Sequence, residues 1–135
     1  MYIRFFVKAG SLKDAKELVN ESFGDIENII MYKKRKSTKP YWKIDGIYIV
    51  EFSLKLYKGT WIEFLKNYSD VWEECGVLVE EFLAAEKIPD CKYMKEGFVF
   101  INIFLEEDCI DEIMSTGIIK DHEYTKGRDT FINVF

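Results

Sequence analysis

The chain has 135 residues, 48% hydrophobic and 16% aromatic, which is enough to bury the core of one folded domain and excludes an intrinsically disordered protein. Its formal net charge of −5 argues against general nucleic-acid binding, because that affinity depends on neutralising phosphates. No apolar run approaches the ~20 residues that span a bilayer, and the N-terminal apolar stretch is too short for a signal peptide.

The N-terminal residues predict a strand, a helix and a second strand. Apolar residues alternate through residues 2–8, which indicates the first strand. Ser11 is the predicted N-cap of a helix over 12–23, and Gly24 suits the position after its end. The second strand is predicted over 26–33.

A hairpin and a second helix follow. The dipeptide Asp45-Gly46 predicts a two-residue turn that pairs Tyr41 with Val50, with a ribbon that extends back through the basic stretch 33–39. The strand after the turn shows the clearest alternation of apolar residues in the chain.

The second helix is predicted over 61–74, where Thr60 and Glu63 fit a capping box. Residues 77–86 are ambiguous between strand and helix, and the prediction is a helix from about 78 that stops at Pro89.

The C-terminal elements complete the fold prediction. An apolar run predicts a buried strand over 97–105, followed by a helix over 108–116 and a last strand over 130–135. The expected fold class is α+β, with residues 1–135 in a single domain. Its core is expected to be ferredoxin-like, β-α-β-β-α, with a mainly antiparallel sheet, helices on one face and a C-terminal β-α-β extension.

Residues that could carry catalysis are few. His122 is the only histidine and lies in a polar stretch. A position on a surface loop is a simpler interpretation of it than a role as a general base. The three cysteines, Cys75, Cys91 and Cys109, form no C-x-x-C pair, and their odd number favours reduced thiols in the cytoplasm. We therefore predict no metal, no cofactor and no catalytic residue, and whether the protein is an enzyme stays open, with the balance against it.

Charge is divided unevenly along the chain. Residues 1–60 carry 12 Lys/Arg and 7 Asp/Glu, whereas residues 61–135 carry 7 and 17. Acidic residues before a helix can complement its dipole or bind a divalent cation, but together they can also form a surface for a basic protein. The predicted partner-binding residues are Glu73, Glu74, Glu80, Glu81, Glu106, Glu107, Asp108, Asp111 and Glu112.

The basic stretch 33–39 allows a second interpretation of charge. It lies beside Tyr32, Tyr41 and Trp42, and basic residues interleaved with aromatic residues can bind RNA. Because the stretch is short and the chain is acidic overall, a solvated hairpin tip is the expected arrangement, with no nucleic acid and no membrane as partner.

Three functions fit these observations. The preferred one is a non-catalytic binding protein, similar in size, charge and compartment to bacterial immunity proteins, which neutralise a cognate toxin such as a basic nuclease by binding it. The first alternative is a small-molecule-binding regulatory domain that acts as a dimer, and the second is an enzyme with an unrecognised site around His122. The sequence leaves the partner and the choice between monomer and homodimer open.

Overall fold

The computed structural model describes residues 1–75, 81–105, 113 and 119–120, which form one seven-stranded sheet with two α-helices. The helices are α1 (Leu12–Ser22) and α2 (Trp61–Tyr68), and a 3-10 helix spans Gly24–Ile29. The strands are β1 (Tyr2–Lys8), β2 (Ile30–Pro40), β3 (Ile47–Leu56), β4 (Trp72–Cys75), β5 (Glu81–Ala85), β6 (Phe98–Phe104) and β7 (Ile119–Lys120). Their order is β2-β3-β1-β6-β5-β4-β7, and only β4 and β7 pair in parallel. The chain therefore has the predicted α+β class and a mainly antiparallel sheet.

One face of the sheet, here called the core face, packs against both helices. Alternation along β1 places Ile3, Phe5 and Val7 on this face, and all three are completely buried. The helices cover it with side chains from one stripe of each: Ala15 and Val19 from α1, and Trp61, Phe64, Leu65 and Tyr68 from α2. This aromatic-rich cluster is the main core, since burial of large apolar side chains supplies most of the stability of a domain.

The opposite face of the sheet, here called the second face, has a smaller apolar cluster of its own. The residues of β1 that alternate with the core positions point this way, and Phe6 is completely buried. The cluster also contains Tyr41, Ile47, Ile49, Val71, Leu83, Ala85, Ile88, Val99 and Phe100. Polar side chains continue the same face toward the start of β1, where Arg4 lies opposite Glu51 on β3 and Asn102 on β6.

The first half of the chain follows the predicted order with two corrections. Helix α1 is confirmed, and Ser11 caps it by accepting a hydrogen bond from the backbone N–H of Asp14 at 3.1 Å. The strand predicted over 26–33 is wrong in its first part, because residues 24–29 form the 3-10 helix and β2 begins at Ile30.

The hairpin register was also predicted wrongly. The basic stretch does extend the ribbon, but Thr38 rather than Tyr41 pairs with Val50, and the last pair before the loop is Pro40 with Tyr48. Residues 41–46 therefore form a longer loop than the Asp45-Gly46 turn predicts.

The second helix and the segment after it differ more from prediction. Helix α2 ends at Tyr68 instead of residue 74, because Ser69 is extended and β4 begins at Trp72. Thr60 makes no capping hydrogen bond, and its hydroxyl donates instead to the carbonyl of Tyr57 at 2.6 Å. The helix predicted from residue 78 is wrong where it is described, since residues 81–85 form β5 between β4 and β6.

Several C-terminal predictions lie outside the described residues. The strand over 130–135 does so entirely, and of the helix over 108–116 only Ile113 is described, in helical conformation and buried against the core. The buried strand predicted over 97–105 is confirmed as β6. Within the described part of the chain, no helix is both long and apolar enough to cross a bilayer.

Candidate functional site: a cationic, aromatic pocket

A chain of polar side chains crosses three neighbouring strands on the second face. Arg4 Nη2 donates to Asn102 Oδ1 at 3.0 Å, and Asn102 Nδ2 donates to Glu81 Oε1 at 2.5 Å. Burial lowers the pKa of the Arg4 guanidinium, and the nearby Glu81 and Tyr41 act in the opposite direction. Arginine stays protonated throughout the ordinary pH range, so Arg4 supplies a fixed, half-buried positive charge.

Glu51 forms a second polar group beside Arg4. Its carboxylate accepts a hydrogen bond from the Tyr2 hydroxyl and lies 3.6 Å from Lys39 Nζ. Only 8% of Glu51 is exposed, and burial raises the pKa of its carboxyl group. A carboxylate at this position holds the ammonium group of Lys39 above the sheet.

Next to these groups lies a pocket of about 250 Å³, here called the Arg4 pocket. Its positive groups are Arg4, Lys39 and Lys43. Its apolar wall consists of the aromatic side chains of Phe6, Tyr41 and Trp42, together with Ile49. Cations beside aromatic rings at one concave site are suited to hold an anionic group whose remainder is flat and apolar.

Trp42 stands at the rim of the Arg4 pocket on the β2–β3 loop. It is 83% exposed, and its ring lies 5.2 Å from Lys43 Nζ and 6.2 Å from the ring of Tyr41. Tyr41, by contrast, is buried beside Phe6, with their ring centroids 5.2 Å apart. Tyr41 therefore fixes the base of the loop, and Trp42 projects from it.

The basic residues that precede the loop lie along the edge of the sheet. Residues 33–36 are exposed on β2, which pairs only with β3 in the described sheet. They are therefore part of a strand and not of the predicted hairpin tip. Lysines on an edge strand discourage pairing with other chains.

The predicted acidic surface is described at three of its nine positions. Glu73 is 6% exposed and Glu81 bonds to Asn102, and the alternation of β4 and β5 directs both toward the second face. Glu74 lies opposite Phe82 and is directed toward the core face. The structure thus does not bring these three carboxylates onto one surface. The remaining six (Glu80, Glu106, Glu107, Asp108, Asp111 and Glu112) lie outside the described residues.

The candidate catalytic and metal-binding residues are mostly not described. His122 and Cys109 lie outside the described residues, as does the side chain of Cys75. Cys91 is a free thiol, half-buried, that donates to the carbonyl of Tyr93 at 3.4 Å, and burial raises the pKa of its thiol. In the part of the chain that the structure describes, no three His, Cys, Asp or Glu side chains come together as a metal site.

The Arg4 pocket was not predicted from the sequence, although one signal for it was present. Arg4 interrupts the apolar residues of the first strand, and a cation in a strand that is buried on both faces needs partners. Lys43 and Trp42 could not be assigned to the same site, because the predicted hairpin register left no loop there.

A substitution of Glu51 tests the buried carboxylate through its pH dependence. A carboxyl group whose pKa is higher in the folded state destabilises that state at high pH, and the penalty disappears as the pH falls through the raised pKa. Glu51→Gln removes the ionisation but keeps an acceptor for Tyr2. We therefore expect Glu51→Gln to be more stable than the native protein at pH 7–8. This gain in the free energy of unfolding should decline toward pH 4.

Urea unfolding at four pH values, followed by circular dichroism, measures this difference. Glu63→Gln, at an exposed position on α2, corrects for the loss of one negative charge. If the difference in stability between Glu51→Gln and the native protein stays constant with pH, or grows as the pH falls, the raised pKa of the Glu51 carboxyl group is contradicted.

Comparison with known proteins supplies no family: no protein-family model, curated protein or solved structure matches this chain.

Proposed function

We propose that this chain is a non-catalytic binding protein that acts by associating with another protein, in the manner of a bacterial immunity protein in the cytoplasm. The observation that carries the proposal is Trp42, an indole that is 83% exposed on a loop whose base is held by the buried Tyr41. Tryptophan is enriched among the residues that dominate protein–protein affinity, because it buries a large area at little cost in side-chain entropy. The exposed part of Ile44 on the same loop extends this apolar contact.

Charge supports a basic protein as the partner. Residues 61–135 carry 17 Asp/Glu against 7 Lys/Arg, and an excess of this size accelerates association with a basic protein. Since the described carboxylates Glu73 and Glu81 are engaged on the second face, the acidic contact is proposed to come mainly from Glu106, Glu107 and Asp108. The odd number of cysteines and the free thiol of Cys91 favour a reducing compartment.

The proposal extends to the topology of the fold. A ferredoxin-like core is built from β1-α1-β2-β3-α2, and the strand order β2-β3-β1-β6 supports it, with β4 and β5 as an inserted hairpin. The C-terminal β-α-β extension is proposed to begin with β6 and to continue with a helix over 108–116 and a strand over 130–135, in a single domain that is a monomer or a homodimer.

Co-expression with the products of the neighbouring genes tests the proposed function. A partner should co-purify, and its association rate should decrease as the salt concentration rises from 50 to 300 mM. Trp42→Ala should raise the dissociation constant by about tenfold or more. Tyr57→Ala, at another exposed aromatic position, is the matched control and should leave affinity unchanged. If no neighbouring product binds, or if both variants weaken binding equally, the proposed role of the Trp42 loop is wrong.

The Arg4 pocket favours a second candidate, the small-molecule-binding domain. It is a concave site with convergent cations, which is the usual form of a ligand site, although it is smaller than the ~300–1,000 Å³ of pockets for drug-sized ligands.

A further inference from the structure

We infer that the exposed edge of β2 is a docking site for an acidic, extended segment of another protein, which binds by adding a strand to the sheet. The site is here called the basic edge and consists of residues 33–36, Lys-Lys-Arg-Lys. The inference does not rest on the proposed function, because it concerns a different surface and a partner of opposite charge. Three features support it: an open strand edge, cations without ion pairs, and the distribution of these cations over both faces of the sheet.

The edge of β2 is open along a regular stretch of backbone. The strand spans Ile30–Pro40 and pairs only with β3 in the described sheet. In an antiparallel ladder every second residue directs its N–H and C=O away from its neighbour, so this edge offers donors and acceptors to another extended chain. Pairing with β3 is regular from Tyr32 to Arg35, between two register shifts, and residues 31–36 are all exposed. A partner strand can therefore reach this backbone.

The cations of the basic edge have no ion pair within the part of the chain that the structure describes. The ion pairs there are made by Lys39, which lies beside Glu51, and by Lys95. Lys33 lies over an aromatic ring instead, with its Nζ 4.9 Å from the ring centroid of Phe23. Four consecutive residues of a strand span only about 10 Å, so these positive charges repel one another. Carboxylates brought among them relieve this repulsion.

The same charges exclude a second copy of this chain as the occupant. Pairing two β2 edges would bring the basic edge of one copy beside that of the other, and like charges on facing residues destabilise a sheet. Lysines at an edge discourage neutral and basic strands for the same reason. A strand that carries acidic side chains turns the repulsion into attraction, so the charge of the basic edge selects for one kind of partner.

The basic edge presents cations on both faces of the sheet. Lys33 and Arg35 lie opposite core-face residues of β3, whereas Lys34 lies opposite Ser53 on the second face. An added strand alternates its side chains in the same way, so each residue of an acidic run lies beside a cation. A single-stranded nucleic acid cannot pair with the open backbone as a strand does, and it depends on aromatic rings that stack on its bases. The basic edge has no aromatic residue, so an acidic polypeptide fits it better.

Titration of the full chain with short peptides tests the basic edge. The acidic peptide is TEDEDFVT, capped at both ends, and its neutral counterpart is TQNQNFVT. Phe follows the acidic run because antiparallel pairing brings it beside Met31 and Tyr32, which are about half exposed. Fluorescence anisotropy of labelled peptides in 50 mM salt should give a dissociation constant of about 10–100 µM for the acidic peptide. The neutral peptide should bind at least about tenfold more weakly.

Backbone methylation separates strand addition from general attraction between charges. Two further versions of the acidic peptide carry N-methyl groups at alternate residues, one at odd positions and the other at even positions. One version should lose affinity by about tenfold or more, because its methyl groups face β2. The other should stay within about threefold, because its methyl groups face solvent. Binding should also slow the hydrogen exchange of backbone amides in residues 31–36, measured by ¹H–¹⁵N spectra.

Paired substitutions supply the matched control. The double variant Lys34→Gln with Lys36→Gln should weaken binding of the acidic peptide by about tenfold. Lys13→Gln with Lys66→Gln removes the same charge from exposed positions on α1 and α2 and should change binding less than about twofold. All four positions are exposed, so both variants should fold.

Five results would overturn the inference: no binding of the acidic peptide, equal effects of the two double variants, equal losses for the two methylated peptides, no protection of the β2 amides, or tighter binding of an eight-nucleotide oligouridylate than of the acidic peptide. Each of these results leaves the proposed function untouched, since that proposal is measured by co-purification of a basic partner and by Trp42→Ala.

Discussion

Replacing Gly97 by alanine is expected to lower the free energy of unfolding by about 2–3 kcal/mol. Gly97 has φ of +87°, a conformation that costs a residue with a Cβ about 1–2 kcal/mol. A Cβ at this position would also lie 2.7 Å from Leu18 Cδ2 on α1, so the leucine must leave its rotamer. The backbone cannot move away easily, because the carbonyl of Gly97 accepts a hydrogen bond from the N–H of Lys8 at 2.8 Å.

Two other glycines separate these causes. Gly46 has φ of +80°, and a Cβ added there would meet nothing within 4 Å, so Gly46→Ala should show only the conformational cost. Gly24 has neither a positive φ nor a neighbouring atom within 4 Å of an added Cβ. Gly24→Ala should therefore change the free energy of unfolding by less than about 0.5 kcal/mol. In a double-mutant cycle, Leu18→Ala should reduce the cost of Gly97→Ala. Urea unfolding measures all five variants, including the double variant, and equal losses for Gly97→Ala and Gly24→Ala would contradict the geometry at Gly97.

The elements that were predicted from sequence are those whose local signals agree with their packing. In β1 the period-two alternation is also the alternation between two buried faces, and in α1 the Ser11 cap and the apolar stripe indicate the same boundaries. Local and tertiary preferences conflict in β5. Its Glu81, Leu83 and Ala84 are compatible with a helix, but hydrogen bonding to both β4 and β6 makes this segment a central strand.

The end of α2 shows a different limit of sequence patterns. Val71 and Trp72 continue the helical spacing of apolar residues, so periodicity alone cannot indicate where the helix stops. The stop comes from Ser69 and Asp70. The Ser69 hydroxyl donates to the carbonyl of Tyr93, and the Asp70 carboxylate accepts from the backbone N–H groups of Lys92 and Tyr93 at 3.0–3.1 Å. These partners lie more than twenty residues away, and no local pattern reveals them.

The Arg4 pocket could not be predicted for a related reason. It combines two residues of β1 and one of β3 with the end of β2 and a loop whose length depends on the hairpin register. A shift in register changes both the residues that form the loop and the side chains that reach the pocket. The single cation within an apolar strand was readable from the sequence, but its neighbours were not.

Trp72→Ala is expected to cause the second large loss, about 3–5 kcal/mol of the free energy of unfolding. Trp72 is completely buried on the core face, and its indole Nε1 donates to the carbonyl of Leu65 at 3.0 Å. It therefore joins the last turn of α2 to β4, and alanine would leave a large cavity between them.

Two further substitutions give this prediction its controls. Trp72→Phe keeps most of the buried ring but loses the indole hydrogen bond. The Leu65 carbonyl still accepts a hydrogen bond from the N–H of Ser69 at 3.1 Å. We therefore expect the free energy of unfolding to fall by about 1–2 kcal/mol. Trp42→Ala makes the same change at a side chain that is 83% exposed and should cost less than about 0.5 kcal/mol. Chemical unfolding monitored by circular dichroism measures each value. If Trp72 instead lay in a continuation of α2, its indole could not donate to Leu65. Trp72→Phe would then lower the free energy of unfolding only by the contribution of the smaller buried area.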